Sequence, residues 1–167
     1  MTSHQVTVRN ASESDLPFIQ TIYNEGIEDR VATLEADPKS LADILAWWSQ
    51  HTGTYGVLVA TEADRVIGWA SLNPFSHRCA HAEIADLSVY VARSRRGRGV
   101  GYDLLQSLIQ VAAENAFHKI TLHALNVNEA GKRLYRKAGF VEVGVFRDHG
   151  RLDGHFVDVV AMELLLQ

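Results

Sequence analysis

The hydrophobic pattern of the chain changes period several times, and each change predicts an element. Residues 5–9 alternate Val6 and Val8 with polar neighbours, the pattern of a short strand. Ile19, Ile22, Tyr23 and Ile27 then recur at three- and four-residue steps behind Ser14 and a first-turn Pro17, which predicts an amphipathic helix over residues 14–26. Asp37-Pro38 reads as the start of a second helix, with Leu41, Ile44, Leu45 and Trp48 as its apolar stripe and its end near Gln50. The pattern turns extended at residues 55–61 and 65–72, with Glu62-Ala63-Asp64 spaced as a hairpin turn between them. Residues 82–92 form a third extended run after the loop 73–81. Helical spacing returns at Leu104, Leu105, Leu108, Val111 and Ala112, predicting a helix from Val100 to near Asn115. Residues 119–124 read as a strand, 129–138 as a short helix stopped by Gly139, and 140–146 and 156–165 as two late strands. This order of elements predicts an α/β fold with a mixed, largely antiparallel central sheet flanked by helices, not a doubly wound parallel one.

Composition narrows the function. The 167 residues are 47% apolar, with no low-complexity linker or repeat, so one domain over residues 1–167 is expected. Sixteen Lys and Arg against twenty Asp and Glu leave a net charge of −4, which argues against nucleic acid or an anionic membrane as partner. Any anion site must therefore be local. No apolar run approaches the roughly 20 residues of a bilayer span, and the first ten residues lack a signal-peptide pattern, so a cytoplasmic location is expected. Cys79 is the only cysteine, which excludes an internal disulfide and a thiolate zinc cage. His77, His81, His123, His149 and His155 show no paired-His helical spacing with an acid, so no metal is expected.

Arg93-Ser94-Arg95-Arg96-Gly97-Arg98-Gly99-Val100-Gly101 lies between a predicted strand and a predicted helix. Its three glycines allow close backbone approach, and amides entering a helix N-terminus make a donor cluster suited to phosphate. Four arginines supply matching charge in an acidic chain. The spacing fits neither a Walker A loop nor the dinucleotide fingerprint, and a flexible basic turn is the plainer alternative.

Arg96-x-x-Gly99-x-Gly101 after the strand at 87–91, followed by Asn128 and Leu134-Tyr135-Arg136-Lys137-Ala138-Gly139-Phe140, resembles the GNAT superfamily of N-acetyltransferases over nearly the whole chain. The resemblance implies acetyl-CoA as co-substrate. Its pyrophosphate is then expected on Arg96, Gly97, Arg98, Gly99, Val100 and Gly101, and its pantetheine along Leu87, Ser88, Val89, Tyr90 and Val91 as if it were an added strand. A narrower similarity, to the phosphinothricin and methionine sulfoximine acetyltransferase group, rests on Ile22-Tyr23-Asn24-Glu25, Ala32-Thr33-Leu34, Trp47, Ser88-Val89-Tyr90-Val91 and Gly150-Arg151-Leu152-Asp153-Gly154-x-x-x-Asp158. It implies acetyl transfer to the α-amine of a small amino acid or analogue by direct attack in a ternary complex, with Tyr23 and Asn24 in the substrate site. Relatives of this kind are often homodimers, which makes a second copy the expected partner. Two departures stand out: Tyr135 replaces a frequent His, and Asp86 replaces Glu.

An attacking amine must be neutral, so a base has to stand near the acyl carbonyl, directly or through water. Asp86 is the first candidate, with Glu83 in reserve; the structural alternative is a hydrogen-bonded strand acid. Tyr135 matches the tyrosine that protonates the departing thiolate in the family, and otherwise reads as a core tyrosine. Asn128 suits both a helix N-cap and a hydrogen bond to the cofactor arm. Arg78 could grip a substrate carboxylate with paired hydrogen bonds, or be a solvated loop charge. Direct amine attack requires no nucleophile from Cys79. The competing functions are acetylation of another amine (an antibiotic, a polyamine or a protein N-terminus) and a non-catalytic acyl-CoA-binding module. Arg78 favours an anionic substrate over a polyamine, and the coexistence of Asp86 and Tyr135 argues against the binding module.

Overall fold

The computed structural model describes residues 4–166. Strand β1 (Val6–Asn10) leads through a 3-10 turn at Glu13–Asp15 into α1 (Leu16–Glu28) and α2 (Leu41–Ser49). β2 (Val57–Glu62), β3 (Arg65–Pro74) and β4 (Ile84–Val91) follow, then α3 (Val100–Glu114), β5 (Lys119–Leu125), α4 (Glu129–Lys137), β6 (Val141–Leu152) and β7 (His155–Leu165). The order of elements is the predicted one, and two boundaries differ by more than two residues, each for a physical reason. Helix α2 starts after Ser40, not at Asp37-Pro38, because Ser40 and Asp43 cap each other's backbone amides in a capping box. Strand β6 runs on to Leu152 because a register shift between Phe146 and Gly150 breaks its alternation without ending its pairing with β7.

The seven strands lie in the order β1-β2-β3-β4-β5-β7-β6. Every neighbouring pair is antiparallel except β4 and β5. On one face, Leu104, Leu105 and Leu108 of α3 are fully buried against Leu58, Leu72, Leu87 and Ile120. On the other, Leu16, Ile19 and Ile22 of α1 and Ile44 of α2 cover Val57, Val59 and Trp69. Each such side chain contributes roughly 1.5–3 kcal/mol of burial, so the two faces hold the sheet rigid between them.

The parallel pair positions the site. Strands β4 and β5 share only the rungs Ile84↔Lys119, Ala85↔Ile120 and Asp86↔Thr121. Strand β4 stays paired to β3 as far as Val91, and β5 to β7 as far as Leu125. From Leu87 onward the two strands diverge, which leaves the β5-facing edge of β4 without a strand partner inside the sheet.

Candidate active site

The divergence opens a cavity of about 270 Å³. Asp86, Leu87, Ser88, Val89 and Tyr90 form its β4 wall, His123, Ala124 and Leu125 its β5 wall, and Asn128 and Tyr135 stand at α4. Ala32, Thr33 and Leu34, from the α1–α2 loop, close it from above. That loop is fixed at two points: Leu34 packs on Gly150, where a Cβ would come within 2.7 Å of it, and Arg30 pairs with Asp153 in the β6–β7 turn at 3.2 Å.

Alternation along β4 puts Asp86, Ser88 and Tyr90 on the face toward α1 and α2. Burial pushes the Asp86 carboxyl up to about 6, offset in part by the Leu87 N–H and the Asn73 side chain, which favour the carboxylate. At neutral pH it is ionised and weakly solvated, the condition of an effective base. Burial, and secondarily the Asp86 charge, push the Tyr135 phenol up to about 12, so it keeps its proton. The Tyr90 ring turns away from the open edge: it stacks on Trp69 with centroids 5.0 Å apart and meets Tyr23 edge-on. Asn128 caps α4 through Oδ1, which accepts from the Gly131 N–H at 3.0 Å, while also lining the cavity. Both expected features of Asn128 are therefore compatible.

The glycine-rich loop enters α3 with Gly97 at φ 75° and Gly99, the N-cap, at φ 83°. These left-handed conformations are why glycine is needed at both positions; a Cβ there would meet no other atom. Gly101 serves packing instead, since a Cβ would approach Leu134 to 3.1 Å. The expected four-arginine charge is largely neutralised. Arg93 pairs with Glu28 and Asp29 at 3.2 and 2.8 Å, Arg95 with Glu62 at 2.7 Å, and Arg96 with Asp29. Only Arg98 of the four has no ion pair among the described residues. Attraction for an anion therefore falls on the α3 N-terminal amides and Arg98.

The predicted substrate residues separate. Tyr23 lines a second cavity, of about 330 Å³, with Trp47, Trp69, Ile19 and Ile44; Ser88 borders both cavities. Asn24 lines neither: its side-chain amide accepts from Lys39 N at 2.8 Å and donates to Lys39 O at 3.0 Å, which holds the α1–α2 loop. Arg78 stands exposed at the start of the Cys79–His81 turn and lines neither cavity. Glu83 is also exposed and outside both. Sequence reasoning missed His51, Asn73 and Thr121, polar residues whose only signal is their cross-strand or helix-end placement. It also gave His123 no role; partial desolvation and the nearby His149 hold its pKa below the ordinary histidine value. Among the described residues no group of three or more His, Cys, Asp or Glu could hold a metal ion, and no helix is long and apolar enough to cross a membrane.

Residues 19–140 match the Acetyltransferase (GNAT) family. The chain belongs to this family. Among GNAT relatives, it is 32% identical over 163 residues to a phosphinothricin N-acetyltransferase of Streptomyces coelicolor, covering 95% of each chain. It is 32% identical over 162 residues to an L-methionine sulfoximine/L-methionine sulfone acetyltransferase of Pseudomonas aeruginosa, covering 96% of this chain and 94% of the relative. A phosphinothricin acetyltransferase from Sinorhizobium meliloti in complex with AcCoA superposes with a TM-score of 0.92 at 30% identity, over 96% of this chain and 88% of that one. YncA, from Salmonella typhimurium with its cofactor acetyl-CoA, gives 0.94 at 28% identity over 98% and 95% of the two chains. The mixed sheet flanked by helices is thus the GNAT fold, as predicted.

Proposed function

We propose that the chain is an acetyl-CoA-dependent N-acetyltransferase acting on the α-amine of a small amino acid or analogue of the phosphinothricin or methionine sulfoximine type. The carrying observation is the divergence of β4 and β5 at Asp86, with a buried carboxyl and a protonated phenol on one cavity. The residues present fit the co-substrate: a free strand edge at Leu87–Val91 suits an amide-bearing arm, and the left-handed turn into α3 suits a diphosphate. Acetyl-CoA supplies the activated thioester. Asp86, directly or through a water held near Thr121, takes the proton of the attacking amine within a ternary complex. Tyr135 then donates its phenolic proton to the departing sulfur. Asn128 hydrogen-bonds the cofactor arm. The aromatic cavity beyond Ser88, with Tyr23 in its wall, takes the acceptor's side chain, and Arg78, on the loop that leaves β3 opposite Asp86, meets its carboxylate.

A second copy is the proposed partner. β6 is an edge strand that exposes Val141, Val143, Val145 and Phe146, beside an exposed Phe156 on β7, and such an edge calls for a cover. One domain in the cytoplasm, with Cys79 reduced, completes the reading. Steady-state kinetics of Tyr135→Phe tests the chemistry: turnover should fall about ten- to a hundredfold while CoA affinity by calorimetry stays unchanged. Unaltered turnover would remove Tyr135 from the mechanism; acylation of spermidine in preference to amino acids would move the substrate to another amine class.

A further inference from the structure

We propose that His51 fixes the orientation of the Asn73 amide and that this amide, facing Asp86 across the β3–β4 ladder, favours the carboxylate there, making His51 a positioning residue for the base. The inference rests on Asp86 being that base.

His51 follows α2, and its half-buried ring packs on Trp47 with centroids 4.4 Å apart. Nδ1 lies 2.8 Å from the Trp47 carbonyl oxygen, and Nε2 lies 2.8 Å from Asn73 Oδ1. Ser71 Oγ, buried in β3, donates to the same Oδ1 at 2.9 Å. On the other side of the amide, Asn73 Nδ2 donates to Ser88 Oγ at 3.1 Å, and Asn73 faces Asp86 across the β3–β4 ladder, where its side chain favours the carboxylate.

A carbonyl can only accept, so the Trp47 contact requires a hydrogen on Nδ1. Two arrangements then satisfy Nε2. Either it also carries a hydrogen and donates to Oδ1, which turns Nδ2 toward Ser88 Oγ and the Asp86 side of the ladder; or it is bare, the amide is reversed, and the electron-rich Oδ1 faces Asp86 and disfavours its carboxylate. The Ser71 and Ser88 hydroxyls serve either arrangement, since each can donate or accept. Any change at His51 that releases the amide therefore favours protonated Asp86. The other titratable groups on the Asp86 cavity are Tyr90 on β4, His123 on β5 and Tyr135 on α4. None of them hydrogen-bonds to the chain of contacts from Trp47 to Ser88 among the described residues.

The test is the pH dependence of kcat at saturating substrates, read on its acid limb, for wild type and Asp86→Asn, His51→Phe, His51→Gln and Asn73→Leu. Asp86→Asn should abolish the limb. His51→Phe and Asn73→Leu should each move it to higher pH by about one unit, a tenfold change in proton affinity, and the double variant no further than Asn73→Leu alone. His51→Gln, which can still donate to Oδ1, should return it toward the wild-type position. A limb unmoved in both His51→Phe and Asn73→Leu, with Asp86→Asn still abolishing it, overturns this inference alone. A limb that survives Asp86→Asn overturns the base itself, and the inference with it. Should His51→Phe fold poorly, ¹⁵N NMR of the His51 ring in Asp86→Asn decides: the ring signals must differ from wild type, and unchanged signals overturn the coupling.

Discussion

Asp86 and Thr121 face each other across the last rung of the β4–β5 ladder, and the Thr121 hydroxyl is buried there without a hydrogen-bond partner. Such a group costs roughly 1–3 kcal/mol. It lies at the apex of the cleft, beside the proposed base, where a water relaying the amine proton would find it. Thr121→Val should therefore leave the free protein as stable or raise its stability by about 1 kcal/mol, while lowering turnover. Thermal melts with and without CoA, together with kinetics, check this. Lost stability in the free protein would mean that the hydroxyl is already satisfied.

Asp86 carries a stability penalty with a defined sign. Its carboxyl sits at about 6 in the fold against an ordinary 3.8, so the folded state holds the proton more tightly than the unfolded one. This group's contribution is most favourable below pH 3.8, declines as pH rises to about 6, and is constant above. At pH 7.5 the ionised carboxyl costs the fold at most about 3 kcal/mol. Asp86→Asn should accordingly melt higher than wild type at pH 7.5 and lose that advantage near pH 4, even though its turnover is depressed. A gap independent of pH would show that the carboxyl is not held up in the fold.

The sequence made most of this site legible because its motifs are local. Gly97 and Gly99 announce a left-handed turn into a helix, and Asn128 before Glu129 announces a cap; both need only neighbouring residues. The order of strands and helices followed from periodicity for the same reason. What stayed hidden depends on chain segments far apart. Asn73 meets His51 and Asp86 only because β3 pairs with β4 and α2 packs over them, and no spacing in the chain encodes that. Asn24 shows the converse: its motif pointed to substrate, but its amide is taken up by the backbone of Lys39, fifteen residues on. The arginines of the glycine-rich loop likewise found carboxylates at the C-terminal end of α1 and on β2, so local charge overstated the attraction for phosphate.

The glycines of that loop should fail in different ways. Gly99 needs its positive φ and has open space around it, so Gly99→Val strains the backbone of the anion-binding turn, by about 1–2 kcal/mol, without a steric clash. Gly101→Val instead pushes into Leu134 and Val91. Calorimetry should show weakened CoA binding for Gly99→Val with partial recovery in Gly99→Asn, which tolerates the left-handed region. Gly101→Val should chiefly lower the melting temperature. Equal CoA affinity in wild type and Gly99→Val would dismiss the loop as the diphosphate site.

Substrate choice turns on Arg78. Asn73 and Pro74 pair with Asp86 and Ala85, so the loop carrying Arg78 leaves β3 beside the proposed base. An acceptor whose amine meets Asp86 can therefore offer its carboxylate to that loop, while its side chain passes Ser88 toward Tyr23 and Trp47. Arg78 is exposed, so the pair it forms is solvated and its worth falls toward the lower end of a charge-assisted bond, about 1.5 kcal/mol or a tenfold change. Arg78→Ala should raise KM about tenfold for methionine sulfoximine, phosphinothricin and free amino acids, and leave KM for the corresponding amides nearly unchanged. kcat should move little, because the guanidinium would hold the carboxylate equally in the ground state and the transition state. Acid and amide affected alike would remove Arg78 from carboxylate recognition and leave the acceptor held by the aromatic cavity alone.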